Sequence, residues 1–168
     1  MIHVQLVGVR VEIPSNQPIV LMREVTGERF LPIFIGSPEA TAIVHAMQAM
    51  STPRPMTHDL FKNVLDGQAI SLRQIEITAL HDGTFFAVLE LVRDGAVIRV
   101  DARPSDAIAL VVRFGVDEVP IYVADEVLEE AGVLLPDEGE SDDPPNADAE
   151  VELFRDFLDT VSPEDFAP

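Results

Sequence analysis

The sequence predicts an α+β domain with mixed or antiparallel β-sheets, built from two halves that each place a strand meander before helices. Three observations predict it. Strand-like runs come in blocks of three ahead of the helical stretches, instead of alternating singly with them, which favours α+β over a doubly wound fold. Two Asp-Gly pairs, Asp82-Gly83 and Asp94-Gly95, separate apolar runs at hairpin spacing and make residues 72–102 a three-stranded meander. The order in residues 1–68, three strands then two helices, is echoed in residues 71–132 by three strands, a helix, a strand and a helix. At residue level the echo is only Pro38-Glu39-Ala40-Thr41-Ala42-Ile43 against Pro104-Ser105-Asp106-Ala107-Ile108-Ala109, too short to establish duplication.

Each element follows from its residues. Ile2, Val4 and Leu6 alternate in one parity and Val7, Val9, Val11 and Ile13 in the other, so a long first strand carries a bulge near Gly8. Residues 19–25 and 29–35 flank Thr26 and Gly27 as a hairpin, with Pro32 marking an edge or a strand end. Ser37, Pro38 and Glu39 supply a cap, a first-turn proline and a first-turn acid for a helix over residues 40–50. After a break at 51–55, Thr57 caps a second helix whose apolar stripe is Leu60, Phe61, Val64 and Leu65. Arg103, Pro104, Ser105 and Asp106 open a third helix, apolar nearly all round over residues 107–112 and therefore buried, which Gly115 ends. A short strand at 120–123 and a short helix at 124–132 complete the domain.

With 168 residues, one domain plus a tail is expected: a domain over 1–135, an acidic linker over 136–150, and a terminal helix and tail over 151–168. The linker composition, rich in Asp, Glu and Pro, predicts disorder. Val151, Phe154, Phe157, Leu158 and Val161 recur at helical spacing and need a surface, either on their own domain or on a partner.

The formal charge of −19 is uneven. Residues 1–135 hold 10 basic and 18 acidic side chains, a net −8, whereas the last 33 residues hold 1 Arg and 12 acids, a net −11. A cationic nucleic-acid clamp is excluded, and so is loose adsorption to anionic lipid. The absence of Cys removes disulfides, thiolate metal sites and Cys nucleophiles. No apolar run of about 18 residues and no basic region followed by an apolar stretch at the start predict a soluble, cytoplasmic protein away from membranes.

Phosphate loops, nucleophile elbows and His-Glu-x-x-His helices are missing from the sequence, and the four His at 3, 45, 58 and 81 are scattered. Three polar clusters at helix starts remain: Ser37 with Glu39; Thr57 with His58 and Asp59; and Asp101 with Arg103, Ser105 and Asp106. For each, capping and helix-dipole stabilisation is the bland explanation. Asp101 and Asp106 are hard oxygen donors suited to Mg2+, Mn2+ or Ca2+, with Asp59 or Glu39 as further ligands, while Arg103 suits a phosphate oxygen. The competing reading is an Asp101–Arg103 pair that locks the strand-to-helix corner. His58 beside Asp59 offers a general base. His45, on a stripe with Thr41 and Gln48, reads as part of a solvated face.

Four runs then make the sequence recognisable. They are Arg29-Phe30-Leu31-Pro32-Ile33-Phe34-Ile35-Gly36 with Glu39-Ala40; Arg54-Pro55-Met56-Thr57-His58-Asp59-Leu60; Asp101-Ala102-Arg103-Pro104-Ser105-Asp106-Ala107-Ile108-Ala109-Leu110; and Val119-Pro120-Ile121-Tyr122-Val123. In this order and spacing they resemble the bifunctional nuclease domain family of bacteria and plants over about residues 2–135. The acidic tail resembles those of actinobacterial members.

The resemblance implies a compact α+β domain, usually a homo-oligomer, with nuclease activity on RNA and DNA in plant members. The expected function is phosphodiester hydrolysis with low sequence specificity, assisted by a divalent metal on Asp101, Asp106, Asp59 and Glu39. Asp101, Asp106, His58 and Asp59 are the expected catalytic groups, and Arg103, Arg54 and Ser105 the substrate-binding ones. No Trp, one Tyr, and Phe residues that mostly sit in apolar core-like runs leave few stacking platforms for bases. The alternative is a non-catalytic oligomeric regulatory or protein-interaction module in which the clusters are caps and ion pairs.

Overall fold

A computed structural model describes residues 1–12 and 15–134. The expected linker over 136–150 and terminal helix over 151–168 lie outside the described residues.

The alternating apolar residues form strands where the sequence places them. β1 (Ile2–Glu12), β2 (Gln17–Glu24) and β3 (Arg29–Phe34) make the first meander, followed by α1 (Ser37–Met47) and α2 (Thr57–Gly67). β4 (Ser71–His81), β5 (Thr84–Arg93) and β6 (Ala96–Ala102) make the second, followed by α3 (Pro104–Phe114), β7 (Ile121–Val123), α4 (Asp125–Ala131) and β8 (Val133–Leu134). The register of β1 on β2 shifts between Leu6 and Gly8, the bulge that the parity change implies. Asp82, Gly83, Asp94 and Gly95 all have positive φ, so both Asp-Gly turns take the primed geometry that suits a right-twisted hairpin.

The two meanders share one eight-stranded sheet of order β6-β5-β4-β7-β1-β2-β3-β8. Their link is β7, three residues long, which runs antiparallel to β1 and parallel to β4. The two-residue β8, too short to leave a periodic signal, pairs with β3 only at Arg29 and Phe30. Pro32, farther along β3, therefore meets no ladder partner on that side among the described residues, as a strand proline requires.

α3 packs on α1, α2, β4 and β5, and Ala107 through Val111 are all buried, as expected for a helix apolar nearly all round. The core beneath it is drawn from both meanders, including Val20, Met22, Leu31, Ile75, Ile77 and Leu89.

The helix starts differ from expectation. Gly36 and Met56, not Ser37 and Thr57, are the N-caps of α1 and α2, and no cap side chain bonds to either helix. In α1 the Glu39 carboxylate folds back over Gly36, where a Cβ would collide with Glu39 Oε2. In α2, Asp59 Oδ2 accepts the Met56 amide at 2.9 Å, half of a capping box without the usual hydroxyl partner. α1 ends at Met47, earlier than residue 50, because Ala49 turns into the left-handed region at φ 49°.

The stripe on α2 is the larger surprise. Leu65 is buried, yet Leu60, Phe61 and Val64 are exposed. None of the six phenylalanines among the described residues is fully buried, contrary to the expectation that most sit in the core. No helix among the described residues is long and apolar enough to cross a membrane.

Candidate functional site

The sheet delivers the first turns of α1, α2 and α3 to one place, and a chain of polar contacts joins them. Arg103, the N-cap of α3, donates Nε to Asp106 Oδ2 at 2.7 Å and Nη2 to Asp106 Oδ1 at 3.1 Å. Its Nη1 donates to Glu39 Oε1 of α1 at 2.9 Å. Asp106 Oδ1 also lies 3.0 Å from His58 Nε2 of α2. Four residues separated by up to 67 positions in sequence thus form a continuous line, Glu39, Arg103, Asp106, His58.

The electrostatics follow from these contacts. Burial pushes the Asp106 carboxyl upward, but hydrogen bonds from Arg103 and His58 outweigh it and hold the group below its ordinary value. The Arg103 guanidinium is held well above its usual value, first by Asp106 and then by Glu39. Arg103 remains 65% exposed at its side chain, and two of its five N–H groups are not used in these bonds.

Asp59 does not join that line. It pairs with Arg113 Nε and with the Met56 amide, and the Arg113 bond is the main reason its carboxyl sits below the ordinary range. Arg113, at the end of α3, also donates to Ala109 O at 2.8 Å and to Ala42 O of α1 at 3.2 Å. Arg113 lies outside the three polar clusters that the sequence marks. Its signal was a lone cation closing an otherwise apolar helix, which has to find acceptors wherever the helix is buried.

His58 and Asp106 line an open cavity of about 470 Å3 between α2, α3 and strands β5 and β6. The apolar part of its wall is Leu60, Phe61, Val64, Leu89, Val100 and Leu110. Asp101 borders the same cavity, but Arg103 turns to Asp106 and Glu39 instead of to Asp101, so the expected Asp101–Arg103 pair is not formed. Asp101 pairs in register with Val88, on the sheet face opposite Val100 and Ala102. Arg54 is exposed in the loop before α2, and Ser105 is buried in the first turn of α3. His45 is half-buried instead of solvated, with Nδ1 unpartnered among the described residues.

Asp101, Asp106, Asp59 and Glu39 are not gathered around one point, and among the described residues no group of three or more His, Asp or Glu is placed to hold an ion. Both oxygens of Asp106 and of Asp59 already accept from cations or a backbone amide.

Comparison with known proteins agrees with the motifs. Residues 20–136 match the bifunctional nuclease domain. An uncharacterised protein of Mycobacterium tuberculosis is 47% identical over 165 residues, covering 98% of this chain and 97% of that protein. Bifunctional nuclease 2 of Arabidopsis thaliana is 28% identical over 129 residues, 75% of this chain but 38% of the plant protein. Bifunctional nuclease 1 of Oryza sativa subsp. indica is 27% identical over 111 residues, 64% of this chain and 33% of that one. With the motifs in order and the domain matched over most of the described fold, the chain belongs to the bifunctional nuclease domain family.

Proposed function

We propose that the domain is a nuclease that hydrolyses phosphodiester bonds of RNA and DNA with little sequence specificity. The observation that carries this is the 3.0 Å contact of His58 Nε2 with Asp106 Oδ1, both lining a mostly apolar cavity. A carboxylate that accepts Nε2–H fixes the tautomer and leaves Nδ1 as the proton acceptor. Water is the nucleophile, since DNA lacks a 2′-hydroxyl. His58 takes the proton of the water as its oxygen attacks phosphorus, the bond from phosphorus to the leaving oxygen breaks on the opposite side, and solvent protonates that oxygen. Arg103, with N–H groups to spare, faces the phosphate charge. Asp106 orients His58, Glu39 orients Arg103, and Asp59 anchors α2 through Arg113.

No step is routed through a metal, since among the described residues no group of three or more His, Asp or Glu is placed to hold one. The substrate of the domain is nucleic acid, and the domain works as a homo-oligomer in the cytoplasm.

One observation favours a second reading, a non-catalytic interaction module: the same ion pairs tie three helices together and would be retained for stability alone. The deciding experiment incubates purified protein with single-stranded DNA and with RNA in Mg2+, Mn2+, Ca2+ or chelator, beside His58→Gln and Asp106→Asn. Loss of cleavage in both variants supports the assignment. Equal cleavage in the variants refutes the site, and no cleavage by the unaltered protein gives preference to the second reading.

A further inference from the structure

We infer that the apolar cavity beside His58 is a subsite for one unstacked nucleobase, which makes single-stranded nucleic acid the preferred substrate; this rests on the nuclease reading above. The cavity is lined along α2 from Thr57 and His58 past Phe61 to Val64, about 9 Å of helix between His58 and Val64. A phosphodiester placed at His58 has that wall beside it for the attached base.

The chemistry of the wall selects the base. Leu60, Phe61, Val64, Leu89 and Leu110 offer no partner for a phosphate or a sugar hydroxyl, whose desolvation there would be unfavourable. A base is the flat, uncharged part of the substrate, and Phe61, 39% exposed, presents an aromatic ring to it. The volume of about 470 Å3 lies within the range of ordinary ligand sites, which are mostly apolar with a few polar groups at one end. Exposed Leu60, Phe61 and Val64 on one helix form an apolar patch of a kind that usually marks a binding surface.

Electrostatics point the same way. Among the described residues, Arg29, Lys62, Arg73, Arg93, Arg99 and Arg113 are paired with carboxylates of their own chain, and Arg103 keeps only two N–H groups for a phosphate. Few cations are left to hold a phosphate backbone, so base contact has to supply the affinity. A duplex keeps both faces of each base stacked, and its bases cannot enter.

The test measures binding of the full chain to three fluorescently labelled probes: a single-stranded DNA octamer, the same octamer annealed to its complement, and an octamer of abasic sugar phosphates. The single strand is expected to bind about 10-fold or more tightly than either other probe, with a shallow salt dependence. Phe61→Ala is expected to abolish that difference, and Phe61→Tyr to retain it. Phe61 is exposed, and thermal unfolding verifies that both variants fold.

Equal binding of the abasic octamer, or undiminished base preference in Phe61→Ala, overturns the proposal. So does a Phe61→Ala variant that loses self-association while oligonucleotide binding stays unchanged, which would make this face a contact between copies. Base-dependent binding without any cleavage supports the subsite and removes the nuclease reading, whereas cleavage with base-independent binding does the reverse.

Discussion

Arg113 at the end of α3 donates Nε to the Asp59 carboxylate of α2, with its side chain only 6% exposed. The same guanidinium reaches the carbonyl of Ala42 in α1, so one side chain fastens three helices. Arg113→Lys is expected to destabilise the fold by about 2 to 3 kcal/mol, because a single ammonium cannot serve three separated acceptors. Urea unfolding followed by circular dichroism measures it; a change under about 0.5 kcal/mol would show that the fastening is dispensable.

Acid should loosen this arrangement only at low pH. Asp59 is held below its ordinary value by Arg113, and Asp106 is lowered by Arg103 and His58 despite its burial. A carboxylate lowered in the native state stabilises fully above its unfolded value of about 3.9, and that contribution is lost as pH falls through the native value. Urea midpoints should therefore show the contribution of these two groups intact at pH 7 and 5 and declining below about pH 4. Asp59→Asn should flatten the decline.

Two helix ends carry alanine where glycine fits better. Ala69 follows α2 at φ 54°, and Ala49 follows α1 at φ 49°. Left-handed backbone costs a residue with a Cβ roughly 1 to 2 kcal/mol, part of which glycine returns as unfolded-state entropy. Ala69→Gly is expected to raise stability by about 0.5 to 1 kcal/mol in thermal melts. A lower melting temperature would contradict this.

Catalysis should separate along the polar line. Asp106→Asn, nearly isosteric, is expected to slow cleavage by about 100-fold or more, because it removes the carboxylate that orients His58. Glu39→Gln, which acts through Arg103, should have a smaller effect. Initial rates on a labelled single strand measure both, and a larger loss in the Glu39 variant would reverse the assignment.

Gly36→Ala tests the geometry from the backbone side. An added Cβ collides with Glu39 Oε2, so the carboxylate has to shift and its Oε1 contact with Arg103 is expected to weaken while the helix itself is undisturbed. Cleavage should fall to the level of Glu39→Gln with little change in melting temperature. Unchanged cleavage would show that the Glu39–Arg103 contact is not needed.

Much of this fold was legible locally. The Gly8 bulge, both Asp-Gly turns and the buried α3 follow from parity, turn chemistry and all-round apolarity, properties that a few neighbouring residues express. The position of β7 did not, because its three residues pair with strands whose partners lie far away in sequence. At the site, the motifs holding His58, Asp59, Arg103 and Asp106 were found, but their partners were not. Charge alone made Asp101 an equal of Asp106, and only the helix geometry sends Arg103 to Asp106 and Glu39. Leu60, Phe61 and Val64 looked like a core stripe because helical periodicity records an apolar face without recording what covers it.

The placement of β7 also sets an order of assembly. Its pairing with β1 joins Ile2 to Val123, almost the full span of the domain, so the centre of the sheet carries the longest loop-closure cost. During synthesis both meanders and three helices emerge before β7 does, and until then β1 and β4 each present an open edge. A chain interrupted shortly before Ile121 would leave two half-sheets without a seam, and those edges are where it would misassociate.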